Sequence, residues 1–193
     1  MKIDKQLQRK CLSTIKDIAV MDGYKKIQNT IYKIEDDYIL FVDFLIVNSN
    51  YLNYRINIKK KSYDKIFWQI MRMEENLNAG DVLRINGAFA APSVLISKGN
   101  VELSENVDIT AKYFYERINT EINAFLEVND ITQYIFSGSV KVDEDILQCL
   151  SYIDLNLPSQ AMEIAEKQIL SGDKGRFENE GKGFYELLLL YNV

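Results

Sequence analysis

The stretch Gly175–Gly183 reads GRFENEGKG, a lysine between glycines ahead of an apolar run. Such a segment can wrap a phosphate when backbone N–H groups surround the ligand and a hydroxyl after the lysine holds magnesium, the arrangement behind G-x-x-x-x-G-K-[ST]. Here five residues separate Gly175 from Gly181, Gly183 stands where the hydroxyl is needed, and the preceding MEIAEKQIL has helical rather than strand periodicity. The expectation is a loop between two helices, the first stopped by Gly172 and the second starting near Gly181, with no bound nucleotide.

Histidine is absent from the chain. Imidazole bases, Ser-His and Cys-His dyads and His-containing zinc sites are thereby excluded. Cys11 and Cys149 lie far apart in apolar-patterned segments, without a CxxC, and read as buried thiols. Carboxylates cluster at Glu35-Asp36-Asp37, Glu74-Glu75 and Asp143-Glu144-Asp145. The first belongs to a hairpin turn and the third heads a helix, where acids complement the macrodipole, and neither has the alternating oxygens of a calcium loop. No residue is therefore assigned to catalysis, a cofactor or a metal. One basic and aromatic set remains. Lys59-Lys60-Lys61 follows Tyr51, Tyr54 and Arg55, with Lys25, Lys26 and Lys33 on an adjoining strand. Lys25, Arg55, Asn57, Lys59 and Lys60 form a candidate binding surface, either a stacking groove for single-stranded nucleic acid or a strand end that lysines protect from pairing.

The elements that must position these residues follow from periodicity. Ile3, Leu7, Cys11, Ile15 and Ile18 make one apolar stripe, an amphipathic helix ending at Gly23. YKKIQNTIYKI, YILFVDFLIV and LNYRINIKK are rich in Tyr, Ile and Val, are separated by turn residues, and read as a three-stranded antiparallel meander. A three-residue loop Asn48-Ser49-Asn50, with Asn50 left-handed, sets Val47 opposite Tyr51. That register gathers Leu40, Val42, Phe44 and Ile46 with Leu52, Tyr54, Ile56 and Ile58, and places Asp43 opposite Arg55 as a structural ion pair. SYDKIFWQIMRM is a helix capped by Ser62. VLRINGAFA and PSVLISKGNVEL are weaker strands, and residues 109–128 form a helix capped by Thr110 or Asp108. Beyond Asp143 the pattern is helical throughout, with Pro158 near a helix start.

Two resemblances rest on these segments. Gly23 to Lys60, where a helix leads into Gly-aromatic-Lys-Lys and then aromatic-rich strands, resembles a family of uncharacterised bacterial domains, domains of unknown function. In that family the second strand carries an Asn-Phe-Gln-like stretch and the third an Asn between apolar residues. Asn57 fits, Leu45 departs, and the resemblance implies a fold without an activity. ILQCLSYIDLNLPSQAMEIAEKQIL resembles a tetratricopeptide-type helix pair, with Ala161 and Ala165 as its small packing residues. A solenoid needs about three repeats and there is room for one and a half.

With 193 residues, 47% of them hydrophobic, the chain is long enough for one ordinary core. The expected organisation is an α+β domain over 1–140, its antiparallel sheet packed with helices, and a helical extension over 141–193. The N-terminal MKIDKQLQRKCL has no apolar segment of the signal-peptide kind, and YILFVDFLIV is too short to span a membrane, so a cytoplasmic protein is expected. Twenty-eight acids against 23 bases give a net charge of −5, which offers a phosphate backbone no global attraction, so that nucleic acid would need a local basic patch, and suits a basic protein partner. Twelve tyrosines, spread over several helices, suit either interhelical packing or an aromatic binding surface. The functional expectation is a non-catalytic protein-binding module, in its sharpest form an immunity or antitoxin-like factor neutralising a basic partner. The alternatives are a nucleic-acid-associated protein using the basic sheet surface and a His-free enzyme using a carboxylate in a pocket.

Overall fold

The computed structural model describes residues 4–191. In chain order the elements are α1 (Lys5–Met21), β1 (Lys25–Ile27), β2 (Thr30–Glu35), β3 (Tyr38–Val47), β4 (Tyr51–Lys60), α2 (Lys61–Ile70), a 3-10 turn (Glu74–Asn78), α3 (Asp81–Asn86), β5 (Val94–Glu102) and α4 (Val107–Val128). Then follow α5 (Ile131–Phe136), α6 (Glu144–Asp154), α7 (Pro158–Leu170), β6 (Glu178–Asn179), β7 (Lys182–Gly183) and α8 (Phe184–Leu189). The fold is α+β. A five-stranded antiparallel meander has the order β1-β2-β3-β4-β5, and helices fill the C-terminal part. Among the described residues no helix is long and apolar enough to cross a membrane.

The chain divides into two compact units, Met1–Ile58 with Leu95–Asp130, and Lys59–Val94 with Ile131–Val193. The division expected at residue 140 falls elsewhere. β4 runs into α2 with no intervening loop, and α2 packs with α6 and α8 in the second unit, so the C-terminal helices share their core with a segment from the middle of the chain.

In the first unit α1 starts where the Asp4 carboxylate accepts the N–H groups of Gln6 and Leu7, at 2.8 and 2.9 Å. It stops at Gly23, whose φ of +83° is the left-handed value a glycine adopts without Cβ strain. Its Cys11, Ile15 and Ala19 are fully buried against Val107, Ala111, Phe114, Ile118 and Ile122 of α4 and the even-numbered apolar residues of β3 and β4. Val42, Phe44, Leu52, Tyr54 and Ile56 all belong to this core, as strand alternation requires. Each such aliphatic or aromatic side chain stabilises the fold by about 1.5–3 kcal/mol through burial. Asn106, rather than Thr110 or Asp108, caps α4 by accepting the Ile109 N–H.

Three local expectations need correction. YKKIQNTIYKI forms two strands, because Gln28 takes a φ of +49° and Ile27 pairs with Thr30 across a two-residue turn. At the β3–β4 turn Asn48 and Ser49 carry the positive φ values, +53° and +60°, and Asn50 does not. The Asn50 N–H closes that turn on the Val47 carbonyl at 3.2 Å. VLRINGAFA contains α3 instead of a strand. Gly80 stands at its N-cap and Asp81 in its first turn, and it ends where the Gly87 N–H donates to the Leu83 carbonyl at 2.9 Å. Only the following segment is a strand, β5.

The second unit is built on α2, whose Tyr63, Phe67, Trp68 and Ile70 are buried. Lys60 stands at its N-cap without a side-chain cap bond, in place of the expected Ser62. The Phe67 ring meets Phe177 edge-on at 4.8 Å and stacks on Phe184 at 5.9 Å. α6 and α7 form a hairpin in which Ala161 and Ala165 are fully buried and the Cys149 thiol donates to the Ala161 carbonyl at 3.5 Å. The glycine-rich segment is the β6–β7 hairpin, turning at Glu180 and Gly181. A Cβ at Gly183 would lie 2.1 Å from the Lys174 carbonyl oxygen, and the Gly183 N–H is already donated to Glu186 at 2.9 Å. Close packing, rather than a phosphate, accounts for this glycine.

Both cysteines are free and have no exposed surface. Burial, followed by the nearby Asp108 charge, pushes the Cys11 thiol up to about 11, and burial pushes Cys149 up as well. Native protein is expected to leave both thiols unlabelled by a disulfide reagent at neutral pH, while guanidinium-unfolded protein releases both. Rapid labelling of either in the native state would contradict this burial.

Candidate functional site

Lys59 continues the polar alternation of β4, yet only 1% of its surface is exposed. Its ammonium lies 2.8 Å from Asp64 Oδ1, 2.5 Å from the Arg84 carbonyl oxygen and 3.1 Å from that of Ala91. Three acceptors match the three N–H bonds of an ammonium, whereas a neutral amine has only two to give. Asp64, fully buried, also accepts the Ala91 N–H at 2.9 Å. Burial drives the Lys59 pKa down and the Asp64 pKa up, and the mutual attraction opposes both shifts. Asp64 Oδ2 and Arg84 Nη1 face one another at 3.8 Å and are the two buried side-chain atoms without a hydrogen bond among the described residues. The Arg84 guanidinium covers the Trp68 ring at 4.7 Å, and Trp68 Nε1 donates to the Phe89 carbonyl at 2.6 Å. This cluster ties the segment from α3 to Ala91 onto α2. A carboxylate with a raised pKa is the feature a His-free enzyme would use, but here Lys59 and Ala91 occupy it and its surface is closed.

The expected basic surface is not assembled. Lys59 is buried, as described, and Asn57 is only 6% exposed. Lys60 pairs with Asp154 at 2.9 Å and lies over the Tyr63 ring. Lys25 and Arg55 are exposed, on β1 and β4, with two strands between them in the sheet order. Asp43 also differs from expectation. Its register partner on β2 is Thr30, whose hydroxyl donates to the carboxylate at 2.6 Å, and Asn57 of β4 approaches the other oxygen at 3.5 Å. Among the described residues Arg55 forms no ion pair with it. A short hydroxyl directly opposite binds the carboxylate at less entropic cost than a long arginine.

The first unit carries a second ionisable cluster. Glu121 of α4 accepts bonds from Tyr54 Oη and Ser97 Oγ, both at 2.7 Å, and from Arg117 Nε at 3.0 Å. Burial raises the Glu121 pKa, but the three donors outweigh it and hold the carboxyl below its ordinary 4.5. Burial first, and the bond to Glu121 second, push the Tyr54 phenol up to about 12. Both groups are thus moved away from neutrality, opposite to what general acid–base work needs. Gly99 makes room for this arrangement, since a Cβ there would lie 2.6 Å from Tyr54 Oη. Tyr115 is bound to Asp22 at 2.6 Å, and Tyr24 reaches Asn119 at 3.4 Å. These tyrosines, with Tyr63 on Ser151 at 2.7 Å, serve as internal ties rather than as an aromatic surface.

The remaining distinctive surface is the open edge of β5, the last strand of the meander. Leu103 donates its N–H to the Asn50 carbonyl at 2.8 Å, so alternation turns the N–H and C=O groups of residues 98, 100 and 102 away from β4. Arg117 Nη1 takes one of these outward carbonyls, that of Asn100, at 3.3 Å. A hollow of about 360 Å³ follows the edge, lined by Asn100, Val101 and Glu102 of β5 and by Ile109, Tyr113 and Arg117 of α4. Ile109 and Tyr113, one helical turn apart, are 63% and 53% exposed. No family model, curated protein or solved structure matches this chain. Sequence reasoning placed β5 but did not find the site. The spacing of Ile109 and Tyr113 was the available signal, and nothing in the sequence separates an exposed helix stripe from a buried one.

Proposed function

We propose that this protein is a non-catalytic protein-binding module. The observation that carries the reading is the open β5 edge with two large apolar side chains beside it, a combination that water solvates poorly and a protein surface covers well. The ionisable clusters support the same reading, because Lys59–Asp64 is closed to solvent and the Tyr54–Glu121 pair titrates far from neutrality. The net charge of −5 favours a basic protein as a further partner, the situation of an immunity or antitoxin-like factor. The nucleic-acid alternative loses its main support once Lys59 is buried and Lys60 is paired. Affinity capture from nuclease-treated native cytosol, comparing the wild type with Ile109→Asp, tests the proposal. Proteins retained by the wild type and lost from the folded variant are the expected result. Capture that nuclease abolishes, or identical capture by both forms, would overturn it.

A further inference from the structure

We propose that the β5 edge pairs with the same edge of a second copy of this chain, forming a two-fold symmetric dimer with one continuous antiparallel sheet. The inference rests on the protein-binding reading and names the occupant of its surface. An isologous contact requires a patch complementary to itself, and β5 has one. Residues 98 to 103 alternate exposed and covered, with Lys98, Asn100 and Glu102 exposed and Val101 and Leu103 buried. The exposed members are also those whose backbone groups point outward from the sheet.

If the two-fold axis passes beside Asn100, that residue meets its own copy in a hydrogen-bonded pair, and Lys98 of each chain meets Glu102 of the other. Both charged residues then gain a partner of opposite sign, twice per dimer. The neighbouring registers lack this match. Moving the axis to Lys98 sets lysine against lysine, and moving it to Glu102 sets glutamate against glutamate. The Asn100 carbonyl, which already accepts from Arg117, has a second lone pair for the partner strand. On the covered face Gly99 of one strand would lie opposite Val101 of the other, leaving room for the exposed Ile109 and Tyr113 to close over the junction. An axis perpendicular to the sheet keeps both α4 helices on the same face, so each copy contributes its Ile109 and Tyr113 to one strip, next to an Arg117 whose charge Glu121 balances.

Sedimentation velocity over a micromolar to millimolar range reads the association directly. The wild type is expected to dimerise reversibly. Lys98→Glu and Glu102→Lys are each expected to weaken the dimer by at least about tenfold, since each places like charges opposite one another twice. The double variant Lys98→Glu/Glu102→Lys restores the pairing with its signs exchanged and is expected to recover the dimer. Both positions are exposed, and circular dichroism confirms folding of each variant. A wild type that stays monomeric throughout overturns the proposal, as does a dimer that the single changes leave intact or the double change fails to recover. If the wild type is monomeric while Ile109→Asp still loses captured protein, the edge takes a foreign strand and the protein-binding reading stands alone.

Discussion

Replacing Lys59 by methionine is expected to cost about 3–5 kcal/mol of stability, the largest single effect anticipated for a polar residue of this protein. The ammonium is closed off from water and satisfies three acceptors at once, so no solvent can take its place. Its removal leaves the Asp64 carboxylate buried with the Ala91 N–H as its one remaining hydrogen bond, and two carbonyl oxygens without their donor. The loss therefore measures a buried carboxylate left with only the longer Arg84 contact at 3.8 Å, rather than the net worth of the Lys59–Asp64 pair. That distinction is testable. Exchanging both partners for apolar residues, Lys59→Met with Asp64→Leu, removes the two fully buried charges together, leaves Arg84 over the Trp68 ring, and is expected to recover part of the stability lost by the single change. Guanidinium unfolding of the wild type, both single variants and the double variant supplies the cycle. A single-variant loss below about 1 kcal/mol would show that water reaches the cluster.

The same residue shows where the sequence stops being legible. Asn53, Arg55, Asn57 and Lys59 occupy the polar phase of β4, and for the first two the inference of exposure is right. Asn57 and Lys59 are buried because the Asp43 carboxylate receives one and Asp64, Arg84 and Ala91 receive the other. Binary patterning within one strand carries no information about partners on other elements. The reading of α1 and of the even face of β3 and β4 succeeded because burial there repeats with the period of the element itself. α3 was misread because Val82, Leu83 and Ile85 form too short a run to choose between periods, and the deciding groups are its flanking glycines. For Asp43 the alternation of β4 offers Arg55, but a central strand has a partner on each side, and Thr30 lies on the other. The unit boundary escaped notice for a related reason. It falls at Ile58–Lys59, inside a continuous strand, where no change of composition marks it.

The second large effect lies in the first unit. Glu121→Gln is expected to destabilise the protein by about 1–3 kcal/mol at neutral pH, with a loss that depends on pH in a defined way. The isosteric amide keeps the shape of the side chain but turns an NH₂ group toward at least one of three donors, Tyr54 Oη, Ser97 Oγ or Arg117 Nε. Bonds to an ionised carboxylate are stronger than their neutral counterparts, so even the donor that retains an acceptor loses part of its interaction. Because the folded-state pKa of Glu121 is depressed, the unfolded chain binds the proton first as pH falls. Its contribution is accordingly complete above the unfolded value near 4.5 and is lost as pH descends through the lower folded value. Tyr54 behaves in the opposite sense. Its folded pKa is raised from 10 to about 12, so its contribution is complete below 10 and is lost as pH rises through 12. The difference in unfolding free energy between wild type and Glu121→Gln should therefore be flat from about pH 5 to pH 9 and shrink on the acid side, since protonation makes the wild-type carboxyl resemble the amide. Urea titrations at a series of pH values give that difference directly. A gap that widens as pH falls below 4.5 would mean that burial, rather than the three donors, governs this carboxyl, and would remove the hydrogen-bonded tie between α4, β4 and β5 from the account of how the open edge is held in place.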